Sequence, residues 1–114
     1  MSATISTRQN GGVDVVDVSG KITSDEGSVA IRDAVRELVL GGSKKVVLNL
    51  GNVTHIDSSG IHELVWAFGS VSNAGGELKL LNLTKLLREL LQFTELNTVF
   101  EVFDDEAAAV GSFR

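Results

Sequence analysis

Apolar and polar positions change period along the chain, and each change marks an element. "TISTRQ", "NGG" and "VDVVDVSG" read as two strands around a tight turn, because Asn-Gly accepts positive φ. Val13, Val15 and Val18 do not alternate cleanly, which predicts a bulge near Val15 and Val16. The period then lengthens. In "SDEGSVAIRDAVRELVLGG", Ile31, Ala34, Val35, Leu38 and Val39 form one face of a helix, with Ser24 or Asp25 as cap and Gly41 and Gly42 as stop. "KKVVLNL" is short, β-branched and almost continuously apolar, the pattern of a strand covered on both faces, and it is expected to end near Leu50.

A second helix starts close to Ser58 or Ser59. It turns Ile61, Leu64, Val65, Phe68 and Val71 toward the core and closes at "NAGG". "ELKLLNL" is another buried strand. "TKLLRELLQF" is a helix capped by Thr84, "TVFEVF" a last strand, and "DDEAAAVGSF" a helix with acids at its positive end. The order ββαβαβαβα predicts an α/β fold: one antiparallel hairpin continued by a parallel sheet through helical crossovers.

The 114 residues, 43% hydrophobic and 22% charged, suit a single domain over 1–114. Proline and cysteine are absent, so glycine carries the turn punctuation and neither a disulfide nor a thiolate metal site is expected. A net charge of −5 disfavours nucleic acid as a partner. No apolar run approaches a membrane span, and "MSATISTRQN" lacks the charged and apolar regions of a secretory leader. A cytoplasmic protein with no membrane insertion is the expectation.

Candidate chemistry gathers at "HIDSSGIHELVW". Here a strand hands over to a helix, where unpaired N–H groups and the positive end of the macrodipole collect. A helix cap explains Asp57, Ser58 and Ser59 most simply, although Ser59 with Glu63 misses the capping-box spacing by one residue. A hydrolase would need His55 or His62 with Asp57 and Ser58, but "IDSSGI" is not a nucleophile elbow, and adjacent Asp57 and Ser58 cannot flank one imidazole. No phosphate-binding loop is present, and His55, Asp57 and His62 fit no familiar metal spacing. No catalytic residue, cofactor or metal is therefore assigned. A regulatory phosphosite remains. Ser59, His62, Trp66 and Ser70 fall on the side of the helix away from its core face, where Trp66 either anchors a partner or lies flat on a neighbouring loop. A phosphate on Ser58 would put about −1.5 to −2 charges at the edge of that surface.

At these residues the chain resembles the STAS domains of bacterial anti-sigma factor antagonists. The resemblance runs through "VSGKI", "IRDAVRELVLGG", "KKVVLNLGNVTHID", "SSGI" and "GGELKLLNL", nearly the whole chain. It implies a mixed four- to five-stranded sheet with about four helices, mainly on one side. It also implies partner switching in signal transduction and stress-responsive transcription. The unphosphorylated antagonist binds an anti-sigma factor, a serine kinase of the histidine-kinase-like ATPase type, and frees the sigma factor. The kinase modifies Ser58 and a metal-dependent serine phosphatase reverses it. Asp57 would position the hydroxyl, Ser59 would act as a cap, and Gly60 would admit the partner to the backbone. With His62 and Trp66 these form the expected partner-binding set. His62 departs from the family pattern, which has a small residue there. The family also holds scaffolds of stressosomes and soluble subunits of lipid or solute transport complexes that phosphorylation does not regulate, and hairpin edges of such folds can pair into a weak homodimer.

Overall fold

The structure, a computed structural model, describes residues 3–23 and 28–113. Five strands form one sheet in the order β1-β2-β3-β4-β5: β1 Thr4–Asn10, β2 Val13–Ile22, β3 Lys45–Ile56, β4 Glu77–Leu81 and β5 Val102–Phe103. β1 runs antiparallel to β2, and the other pairs are parallel. The helices are α1 Ser28–Leu40, α2 Ser58–Asn73, α3 Lys85–Phe93 and α4 Glu106–Gly111. The predicted element order is therefore realised, with a short 3-10 turn at Leu96–Thr98 added before β5. That turn takes the start of "TVFEVF", so the last strand is only Val102–Phe103. The expected cap of α1 at Ser24 or Asp25 lies outside the described residues.

The hairpin turns one residue later than the Asn-Gly reading. Asn10 pairs with Val13, and Gly11 and Gly12 are the two turn residues, at φ 59° and 82°. A two-residue turn with both φ positive matches the twist of its strands, and glycine enters it with no steric cost.

Two cores explain the imperfect alternation of β2. Val16 and Val18 face a large core under α1, α2 and α3, whereas Val13 and Val15 face a smaller one with Val47, Leu81 and Ala109 of α4. Val15 and Val16 are both buried because both faces of the sheet are covered, and no bulge lies there.

The irregularities lie in β3 instead. Between Asp17↔Asn49 and Ser19↔Asn52, and again between Gly20↔Val53 and Lys21↔His55, β3 advances one residue more than β2. Each extra residue resets the side-chain phase. Leu50, Val53 and Ile56, spaced by three, therefore all meet the same helical core. The strand thus does not end near Leu50. Its pairing with β4 stops at Asn49↔Leu81, but β2 carries it on to Ile56, where α2 begins.

Candidate functional site

Asp57 makes the corner between β3 and α2. Its N–H donates to the Ile22 carbonyl at 3.3 Å, and its own carbonyl accepts from Ile61 N–H at 3.0 Å. Its side-chain Oδ1 accepts from Gly60 N–H at 3.1 Å, so Asp57 is the N-cap of α2. A cap of this kind contributes about 1 kcal/mol and fixes the first turn. Ser59, expected as the cap, is instead half-buried at the second helical position, because the extended conformation a cap needs falls on Asp57. Ser58 is the first helical residue and is exposed.

Gly60 is buried, and its bareness is used inward rather than toward a partner. A Cβ there would overlap the Ile22 carbonyl oxygen and come within 2.6 Å of Ile56 Cγ1. The glycine lets α2 lie directly on the ends of β2 and β3. Ile61, Leu64, Ala67 and Val71 complete the buried face, with Phe68 packed edge-on to Phe100 at 5.4 Å. Val65, expected in the core, is 37% exposed, because Ala67 takes the centre of the buried stripe and rotates Val65 outward.

Trp66 does not stand out as an exposed anchor. It is half-buried against the core, with the guanidinium of Arg32 4.9 Å from its ring centroid and that of Arg36 at 5.9 Å. Arg32 also makes two 2.9 Å hydrogen bonds to Glu63. The ring lies on the side of α2 that meets α1, a neighbour that helical period alone does not reveal.

Ser58 and His62 are both exposed and lie on the opposite flank, at the edge of a groove of about 540 Å³ between α2 and the end of α3. Val65, Leu90, Phe93 and Leu96 line it with apolar surface, and Phe93 is 87% exposed. Sequence reasoning missed Leu90, Phe93 and Leu96. Leu90 and Phe93 have one signal, surplus: α3 fully buries Leu87 and Leu91, and "KLLRELLQF" carries more apolar residues than those. His55 is also exposed, but its Nδ1 lies 3.1 Å from Thr54 Oγ1. Among the described residues no three His, Asp or Glu side chains gather to hold a metal ion, and no helix is long and apolar enough to cross a membrane.

Comparisons with known proteins agree with this layout. A 73-residue stretch is 29% identical to BtrV of Bordetella bronchiseptica, a candidate anti-sigma factor antagonist. That match takes in 64% of this chain and 63% of BtrV, less than two thirds of that protein. The anti-sigma F factor antagonist of Paenibacillus polymyxa is 25% identical over 113 residues, 96% of this chain and 94% of the relative. Among solved folds, the anti-sigma factor antagonist SpoIIAA, a Bacillus cell fate determinant, superposes in its unphosphorylated form with a TM-score of 0.71 and in its phosphorylated form with 0.74. Each form is 18% identical over 95% of this chain, and the matches cover 96% and 97% of SpoIIAA. The pattern of the STAS domain spans residues 4–109, from the hairpin through the Asp57 corner to α4, and on that match the chain belongs to the STAS domain family.

Proposed function

We propose that this chain is a non-enzymatic anti-sigma factor antagonist, and that phosphorylation of Ser58 ends its docking to the anti-sigma factor. The observation that carries the reading is the position of one exposed hydroxyl, Ser58, on the edge of an exposed apolar groove. Apolar walls offer a partner burial energy of about 25 cal/mol per Å². Phe93 and Val65 supply such surface without being needed for the core.

The proposed partner is a serine kinase of the histidine-kinase-like ATPase type that otherwise holds a sigma factor. It transfers the γ-phosphoryl group of ATP to Ser58 Oγ, with loss of the hydroxyl proton and release of ADP, and a metal-dependent phosphatase hydrolyses the ester. The added dianion sits beside the Asp57 carboxylate on a chain of net charge −5. Covering it with a partner would strip its water or set like charges together, at a cost of several kcal/mol. The host helix loses little, because phosphate at the N-terminus of a 16-residue helix is favoured by about 0.3–1 kcal/mol. Kinship with relatives named for anti-sigma factor antagonism, one of them solved in a phosphorylated form, supports this reading.

Pull-downs from native cell extract with wild type and Ser58→Asp side by side test it. Wild type is expected to retain an ATP-binding anti-sigma factor, and Ser58→Asp to lose it while keeping the wild-type melting temperature. Equal retention by both proteins would contradict the switch and favour a scaffold indifferent to Ser58.

A further inference from the structure

We propose that His62 is this protein's own ligand for a phosphoryl group on Ser58, its imidazolium closing onto the phosphate across one turn of α2. The inference rests on the Ser58 reading for its biological use, and on geometry for its physical content.

Residues four apart on a helix stack on one face, about 6 Å apart along the axis. Ser58 and His62 have that spacing, both are exposed, and both border the same groove. A phosphate on Ser58 Oγ is long enough to span one turn, and an imidazole with two N–H groups is a charge-assisted donor to it.

Among the described residues, the other charged groups around this corner are otherwise engaged or face elsewhere. Asp57 is acidic, and its side chain caps Gly60. Glu63 on α2 is bonded to Arg32 on the α1 side, where Arg36 also lies over Trp66. Lys21 and His55 are neighbours in the sheet. By strand alternation they point to the face opposite Ile22 and Ile56, the pair that leads into Asp57. From α3 and the following turn the groove receives Leu90, Phe93, Thr94 and Leu96, none of them ionisable, while Glu95 lies outside the lining. Among the described residues that line the groove, His62 is therefore the cation-forming side chain.

The pair would hold the phosphate down on its own helix and reduce the net charge shown to a partner.

Phosphorus-31 NMR of the full chain, with phosphoserine installed at position 58 by amber-codon incorporation, tests this without any kinase. A single positive charge about 5 Å away in water lowers a phosphate's second titration midpoint by about half a unit. The expected midpoint in wild type is thus about half a unit below that in His62→Gln, and His62→Arg restores the lower value. Identical midpoints in wild type and His62→Gln, within roughly a tenth of a unit, would overturn the assignment. The Ser58 reading fails differently: phosphoserine-58 protein would then bind the anti-sigma factor as tightly as unmodified protein, whatever the NMR midpoints are.

Discussion

Gly60 on α2 lies against the main-chain carbonyl of Ile22 at the end of β2, with no room between them for a side-chain carbon. That contact, with the Asp57 N–H bonded to the same carbonyl, fixes where the first turn of α2 leaves the sheet and so where Ser58 stands. Gly60→Ala forces backbone to move, and overpacking of this kind costs about 1–3 kcal/mol. The expected result in urea unfolding is a lower midpoint with an unchanged slope. Wild-type stability would show that the corner yields freely.

Trp66 belongs to the joint between α1 and α2. Trp66→Ala removes a half-buried ring that packs on the core beneath Arg32 and Arg36. A loss of about 2 kcal/mol is expected, below the 3–5 kcal/mol of a fully buried aromatic. Circular dichroism during denaturation reads that loss. Partner affinity should hold within about two-fold under conditions where the variant is folded.

Phe93 behaves in the opposite way. Phe93 is 87% exposed at the mouth of the groove. Phe93→Ser should leave the melting temperature within about 2 °C of wild type and weaken docking at least about tenfold, the cost of an interface anchor. Titration of both proteins against the captured anti-sigma factor decides it. Unchanged affinity would move the docking surface away from the α2–α3 groove.

Acid should loosen the tie between the hairpin and α4. Arg8 donates to Asp17 at 2.6 Å and to Glu106 at 2.7 Å, and Asn10 donates to Glu106 at 2.7 Å. The Arg8 hydrogen bonds, with help from Asn10, pull Glu106 from its ordinary 4.5 down to about 2, and Arg8 also lowers Asp17. Both carboxyl groups titrate lower when folded, so their contribution is complete above the ordinary carboxylate range and is lost as pH falls toward 2. These groups are partly in water, which limits each pair to about 1 kcal/mol. Arg8→Ala should therefore be less stable than wild type at pH 7 and nearly equal to it at pH 2 by urea titration. A gap of the same size at both pH values would show that the arginine acts only through its apolar stem.

The architecture was legible because periodicity reports burial. Ile31, Val35 and Leu38 announced α1, and "KKVVLNL" announced a strand covered on both faces. The site corner was misread for an equally physical reason. Gly51 and Asn52 interrupt the apolar run of β3, and only the neighbouring β2, invisible to a local pattern, carries the strand through two bulges to Ile56. The place of Ser58 at the start of α2 was legible from its strand-to-helix setting. The groove was not, because Leu90, Phe93 and Leu96 become a surface only when α3 folds back beside α2. Helical period alone puts Trp66 on the side of α2 away from the core, but the approach of α1 brings its ring onto the core beneath Arg32, a contact that only tertiary structure reveals.

The switch itself is tested most directly by calorimetric titration of the anti-sigma factor with two versions of the full chain, unmodified and carrying phosphoserine at position 58. The account predicts binding at least about 100-fold weaker for the phosphorylated chain, close to 3 kcal/mol, with no fall in its melting temperature. Dissociation constants that agree within about two-fold would contradict it.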